Sequence, residues 1–202
     1  MTRAALPLGW VGRRVACRAR GACMALMLLA ETRAILAQEM DVPVSVQIPL
    51  FLKVMTFDRR YGNGGRPVIF GVLFQSGNRA SVIAKNEALR ALNSAADLEA
   101  QPVRPIPIDL DQESLSDALA RESPTAVYVT PLRAVAIGDI AVATRAAQTT
   151  TFTGVPRFVT LGLAVGVRLQ GERPKLLVNL TAARAEGADF RAELLKLVQV
   201  IQ

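Results

Sequence analysis

The 202-residue chain contains no histidine. That absence excludes His-ligated metal sites, Ser-His-Asp and Cys-His nucleophile pairs and any imidazole general base. Cysteine is almost as scarce: Cys17 and Cys23 both fall near the N-terminus, as does the single tryptophan, Trp10. Acidic residues are missing from the same stretch. The first 37 residues hold Arg3, Arg13, Arg14, Arg18, Arg20 and Arg33 against Glu31 alone, a formal +5, whereas the remainder holds 18 basic and 16 acidic side chains, a formal +2. The overall charge of +7 therefore belongs mostly to the beginning of the chain. Nucleic acid is a poor partner for a body of +2 whose nine aromatics, Phe70, Phe74 and Tyr128 among them, sit mostly in apolar runs.

What is present first is a leader. GACMALMLLA, Gly21 to Ala30, follows an arginine-rich start and runs into AETRAILAQ, the order of a secretory signal peptide. Its ten residues fall short of the about 20 that a transmembrane helix needs. Cleavage is expected after Ala37, with Ala30 as the alternative. Arg13 and Arg14 match only the arginine pair of a twin-arginine signal, and Cys23 lies too early in the apolar run for lipid anchoring. A domain over residues 42–202, freed of residues 1–37, is then periplasmic, without cysteine and without thiol redox chemistry. At 51% hydrophobic residues the chain can bury one sizeable core.

The body alternates. Val46, Leu50, Val54 and Phe57 stand at helical spacing in Val44 to Arg60, with Pro49 tolerable if the helix starts near it. After YGNGGRP, the run VIFGVLF (Val68 to Phe74) predicts a strand buried on both faces. A helix is expected over Arg79 to Leu98 and a proline-bearing edge strand over Arg104 to Leu110. Ser114 to Arg121 is a helix with a capping box closed by Asp117. A buried strand over Ala126 to Thr130, a helix over Leu132 to Ala147 and a short strand over Thr149 to Thr153 follow. Leu163 to Leu180 reads as a hairpin turning at Gly171, and Ala188 to Ile201 as a closing helix. The expected fold is a single three-layer α/β domain: a mostly parallel sheet of about five or six strands, a C-terminal antiparallel hairpin and flanking helices.

Few residues offer chemistry. Asp109, Asp111 and Glu113 alternate where a strand ends and a helix begins, a position where acids suit the helix dipole as readily as a metal or acid-base pair. The GNGG of Gly62 to Gly65 precedes a strand, the reverse of a phosphate loop. Asp58, Arg59 and Arg60 close the first helix and are a candidate surface for a partner or anionic ligand, although cations at a helix C-terminus need no partner. Lys53, Lys85, Lys175 and Lys196 have no nucleophile motif around them. No catalytic residue, cofactor site or metal site is expected, and the chain reads as a non-enzyme.

The last forty residues are the most specific. Gly162, Gly166, Asn179, Ala182, Ala183, Gly187, Leu194 and Leu195 stand at matching positions of a pattern of glycine-bearing strand, turn, Asn-ended strand, alanine-rich segment and double-leucine helix. With QIPLFLKVMTFDRRY and VIFGVLF, this resembles the YfiR family of exported proteins over Val42 to Gln202. Gly162, Gly166, Asn179 and Gly187 read as fold markers, Asn179 satisfying backbone at a turn with Thr181 as N-cap and Gly187 jointing two helical pieces. The resemblance implies a non-enzymatic periplasmic regulator, possible as a homodimer, that binds the extracytoplasmic region of a membrane-bound signalling protein such as a diguanylate cyclase. FDRRY departs from the Trp-Pro pair common near that point in the family. A small-ligand-binding module using the carboxyl ends of the strands is the alternative.

Overall fold

The computed structural model describes residues 40–61, 67–95, 97–98 and 101–201. The expected leader over residues 1–37, with both cysteines, and the GNGG of residues 62–65 lie outside the described residues. Seven helices and eight strands follow one another there. They are α1 (Val44–Met55), β1 (Val68–Phe74), α2 (Arg79–Ser94), β2 (Asp97–Leu98), β3 (Gln101–Asp109), α3 (Leu115–Glu122), β4 (Ala126–Val129) and α4 (Ile137–Ala146). The second half comprises β5 (Thr150–Thr153), α5 (Pro156–Thr160), β6 (Val165–Gln170), β7 (Arg173–Asn179), α6 (Leu180–Ala185), α7 (Ala192–Leu195) and β8 (Gln199–Ile201).

One sheet of order β2-β3-β1-β4-β5-β6-β7-β8 forms the middle layer. The pairings of β1 with β3 and β4, of β4 with β5, of β5 with β6 and of β7 with β8 are parallel, and only β2–β3 and β6–β7 run antiparallel. The α/β class, the mostly parallel sheet and the late hairpin are thus as the alternating apolar runs predict, with more strands than expected. Side-chain alternation divides the core. Val68, Phe70 and Val72 of β1 and Tyr128 of β4 face α1 and α2, where Phe51, Phe152 and Phe70 stack with centroids 5.2 and 5.9 Å apart. Leu73 and Val127 face the other way, onto α3, α4 and α5 through Leu119, Ile140 and Phe158. No helix among the described residues is long and apolar enough to cross a membrane.

Several boundaries move for identifiable reasons. α1 begins at Val44 and carries Pro49 inside it, on its exposed side, where water can serve the Ser45 carbonyl that lost its donor. It stops at Met55 because Asp58 turns away to bridge Phe190. α2 ends at Ser94, since Ala95 is extended, and β2 takes the following residues. α4 starts five residues later than expected, after a loop in which Ala134 adopts φ 54°. The largest correction is the C-terminus: the expected helix from Ala188 to Ile201 shrinks to Ala192–Leu195, and Gln199–Ile201 is a strand. The apolar spacing fits either state, but the β-branched Val200 and Ile201 find an open edge on β7.

At Gly166 of β6, a Cβ would lie 2.4 Å from Val159 Cγ2 and 3.4 Å from the Thr153 carbonyl oxygen. The missing side chain is what lets α5 sit on the sheet. Gly166→Ala is expected to cost about 1–3 kcal/mol of stability through overpacking. Val159→Ala in the same chain should recover part of that loss in urea denaturation, whereas strict additivity would disprove the contact's role.

Candidate functional site at the carboxyl edge of the sheet

The chain leaves β1 toward β3 on one side and, after β3, returns to β4 on the other. The connections therefore diverge above the carboxyl ends of β1 and β4, and this topological switch point is where open α/β sheets leave a crevice. Three loops border it: Gln75 to Asn78, Leu110 to Ser114 and Thr130 to Ala136. Gln75 latches all three. Its Nε2 donates to Asp111 Oδ1 at 3.3 Å, and its Oε1 accepts the Arg133 N–H at 2.7 Å.

The floor of the crevice is an ordered chain of donors. The Gln75 N–H donates to Ser81 Oγ, Ser81 Oγ lies 2.6 Å from Thr130 Oγ1, and Thr130 Oγ1 donates to the Leu73 carbonyl at 2.8 Å. With Thr130 spending its proton on Leu73, Ser81 must be the donor between the two hydroxyls. Asn78 caps α2 by accepting the Ala80 N–H and donates Nδ2–H to the Pro131 carbonyl. Above this floor Ser76, Asp111 and Arg133 are exposed. Asp111 Oδ2 accepts the Gly77 N–H at 2.8 Å and Asp109 Oδ1 accepts the Ser76 N–H at 3.1 Å, so two carboxylates occupy donors at the start of α2. Slight desolvation pushes the Asp109 carboxyl up, but the N–H groups of Asp111 and Ser76 outweigh it and hold it below the usual range. Arg133 has no ion pair among the described residues, and its neighbour Ala134 is in the left-handed region that non-glycine residues enter at a cost.

The residues singled out by sequence divide differently. Asp109 and Asp111 reach the crevice, whereas Glu113 is drawn aside by Arg121 at 2.6 and 3.1 Å, which holds its carboxyl below the usual range. No three acids or cysteines among the described residues gather as a metal site. Asp58 and Arg60 are not a free surface. Asp58 is fully buried, accepts Arg60 Nη2–H at 2.7 Å, and takes the Asp189 N–H as well. Arg60 also donates to the carbonyls of Gln148 and Glu186 and to Thr150 Oγ1. A buried carboxylate needs such partners, so the pair clamps the amino edge of the sheet to the α6–α7 joint. Arg60 reaches the surface but is committed to these partners, and Arg59 is exposed in a surface pair with Asp189. Of the expected fold markers, Asn179 itself is the N-cap of α6, accepting the Ala182 N–H at 3.0 Å, in place of Thr181. Gly162 and Gly187 have φ 113° and 81°, and Gly187 stands between α6 and α7.

Sequence reasoning missed Gln75, Ser76 and Arg133, which no motif marks, and also Glu186. The last is fully buried between α6 and β5, with Oε2 accepting the Thr151 N–H at 2.7 Å and Oε1 the Thr151 hydroxyl at 2.8 Å. Burial pushes its carboxyl up to about 7 against these hydrogen bonds. Folded Glu186 thus binds its proton more tightly than the unfolded chain does. Its contribution is complete below the ordinary value of 4.5 and is lost as pH rises through about 7. Urea midpoints measured across that window should fall with rising pH and fall less in Glu186→Gln; an unchanged slope in the variant would contradict this account.

Two hollows lie at the opposite, amino edge. One of about 390 Å³ is lined by Arg60, Tyr61, Val68, Gln101 and Thr125, and one of about 370 Å³ by Leu119, Ala120, Ser123, Pro124 and Ala143. Neither converges free charged groups, because Arg60 is spent on Asp58. The carboxyl edge is therefore the better site.

No protein-family model matches the chain, and no curated protein matches it. Among solved structures it is similar to a conserved domain protein from Vibrio cholerae, with a TM-score of 0.57 and 15% identity over 80% of this chain and 61% of that one. It is also similar to an ABC domain from Streptococcus pneumoniae in complex with L-Trp, with a TM-score of 0.52 and 14% identity over 79% of this chain and 62% of that one. The chain thus spans about three fifths of the length of these neighbours. At such identities the likeness shows a shared α/β fold.

Proposed function

We propose that the chain is an extracytoplasmic, non-enzymatic binding module that seats a small polar ligand in the carboxyl-edge crevice. The observation that carries this reading is the Gln75 latch, which holds three switch-point loops in one arrangement and leaves Ser76, Asp111 and Arg133 open to solvent. An exposed carboxylate and an exposed guanidinium on facing loops suit a ligand bearing both charges. The pneumococcal neighbour's complex with L-Trp makes amino acids the first to test. A leader of export type supports the location. The lack of histidine throughout, and of cysteine after the leader, supports binding over catalysis.

The test is a thermal-shift screen of amino acids and polar metabolites followed by calorimetry. A ligand that raises the melting temperature should bind roughly 10- to 100-fold more weakly to Arg133→Ala, the loss expected for a hydrogen bond to a charged group. Silence across the screen, or equal affinity in the variant, would sink the proposal.

The YfiR-like regulator is the second reading. The observation on its side is that Gly162, Gly187 and Asn179 each stand where backbone geometry or capping favours that residue type. On this reading the module, alone or as a homodimer, binds the extracytoplasmic part of an inner-membrane signalling protein and modulates its output. A ligand in the crevice would then act by favouring one of two states of that complex. Crosslinking in envelope extract should recover an inner-membrane protein; recovery of soluble periplasmic proteins alone would count against it.

A further inference from the structure

After residue 37 the sequence holds sulfur at two positions only, Met40 and Met55. Met55 is 0% exposed, whereas Met40 is only partly buried. Met40 begins the short segment, residues 40–43, that leads into α1. Its side chain packs against both core clusters, which lie on opposite faces of the sheet, so it must cross the ends of the strands between them. Those are the carboxyl ends. α1 runs from this segment toward the Asp58 clamp at the amino edge, and Gln47 in its first turns lies so close to Gly154, just past β5, that a Cβ there would collide with the Gln47 amide. Residues 40–43 are therefore a strap over the carboxyl edge.

One buried amide fastens the strap. Gln47 Nε2 donates to the Val42 carbonyl at 2.6 Å, and Gln47 Oε1 accepts the Tyr128 hydroxyl at 2.8 Å. Both donors also face the sulfur: Met40 Sδ lies 3.7 Å from Gln47 Nε2 and 3.6 Å from Tyr128 Oη. A thioether is a weak acceptor, so the present bonds stand. A sulfoxide oxygen is a strong acceptor and would compete for the same protons. Gln47 Nε2 has a second proton to give, but Tyr128 has one only, and its diversion would leave the buried Gln47 Oε1 without a donor. The added oxygen would also make polar a side chain that rests on two apolar clusters.

We propose that Met40 is an oxidative modification site: a peroxide converts its thioether to the sulfoxide, and the sulfoxide releases the strap from Gln47 and Tyr128. With hydrogen peroxide, one oxygen passes to Sδ, the S–O bond forming as the O–O bond breaks. Sulfur loses two electrons, and the reduced oxidant leaves as water. No thiol stands after residue 37 to intercept the oxidant, and Met55 is shut inside the core, so Met40 reacts first. The change is reversible, because methionine sulfoxide reductases return the thioether. This modification goes beyond ligand binding at the crevice and does not depend on it.

The test treats the full chain with hydrogen peroxide and maps its peptides by mass, which reads each methionine separately. Met40 should gain one oxygen on the order of tenfold faster than Met55, and urea should erase the difference. The oxidised protein should melt roughly 2–4 °C lower. Hydrogen exchange should quicken at the Val46 and Gln47 amides, which now donate to the Pro43 carbonyl at 2.9 and 3.1 Å. A methionine sulfoxide reductase with a thiol reductant should restore both readings. Met40→Leu should show no peroxide-dependent shift, and Met40→Gln, which places a strong acceptor at the same point, should melt low without oxidant. If Met40→Leu itself melts low, the oxidation rates and the amide exchange of the unsubstituted chain decide. Oxidation of Met40 no faster than that of Met55 would overturn the proposal. Sulfoxide at Met40 with melting and exchange unchanged would overturn it equally.

Discussion

The rest of the structure depends on β1 being paired on both edges and buried on both faces. Its parallel ladders to β3 and β4 place Phe70 and Val72 against α1 and α2 and Leu73 against α3 and α4. A strand so enclosed must satisfy its backbone entirely through its neighbours, and a parallel pair requires a crossover on each side. From those two crossovers come the three layers, the opposed core clusters and the divergence of loops above the carboxyl ends of β1 and β4. The crevice is thus a by-product of covering one apolar strand.

The two edges of the sheet are used differently. At the amino edge, charge is consumed internally: Asp58 and Arg60 hold each other and fasten the turn after α1 to β5 and the α6–α7 joint, while Glu186 is buried against Thr151. At the carboxyl edge, the polar groups below the surface are satisfied in a closed chain through Ser81 and Thr130, and those above it face water. This division, with one end neutralised and rigid and the other open, is what a scaffold needs if its loops are to hold a ligand on a preorganised base.

The fold class was legible because each central element carries an unambiguous local signal. VIFGVLF and AVYV are short apolar runs rich in β-branched and aromatic residues, and Gly171 marks the hairpin turn. The C-terminal segment was not legible for the same physical reason in reverse. Leu194, Val198 and Ile201 satisfy helical spacing, and only the vacant edge of β7 makes Gln199–Ile201 a strand. Of the crevice, the sequence showed only Asp109 and Asp111, as acids near a helix start. Gln75, Ser76 and Arg133 belong to no motif and lie far apart in the chain.

By itself, then, the sequence determined the chemistry available: no imidazole, thiols confined to the first 37 residues, charge nearly balanced after them, and strands and helices in alternation. Those properties reside in residue types and short-range periodicity, which need no partner to be read. The tertiary structure alone decided which charges are spent and which are free. FDRR looks like a surface until Asp58 is seen at 0% exposure, and Arg133 looks ordinary until β1 and β4 bring it beside Gln75. Burial and long-range pairing are properties of the folded chain, so the difference between a structural ion pair and a binding group appears only there.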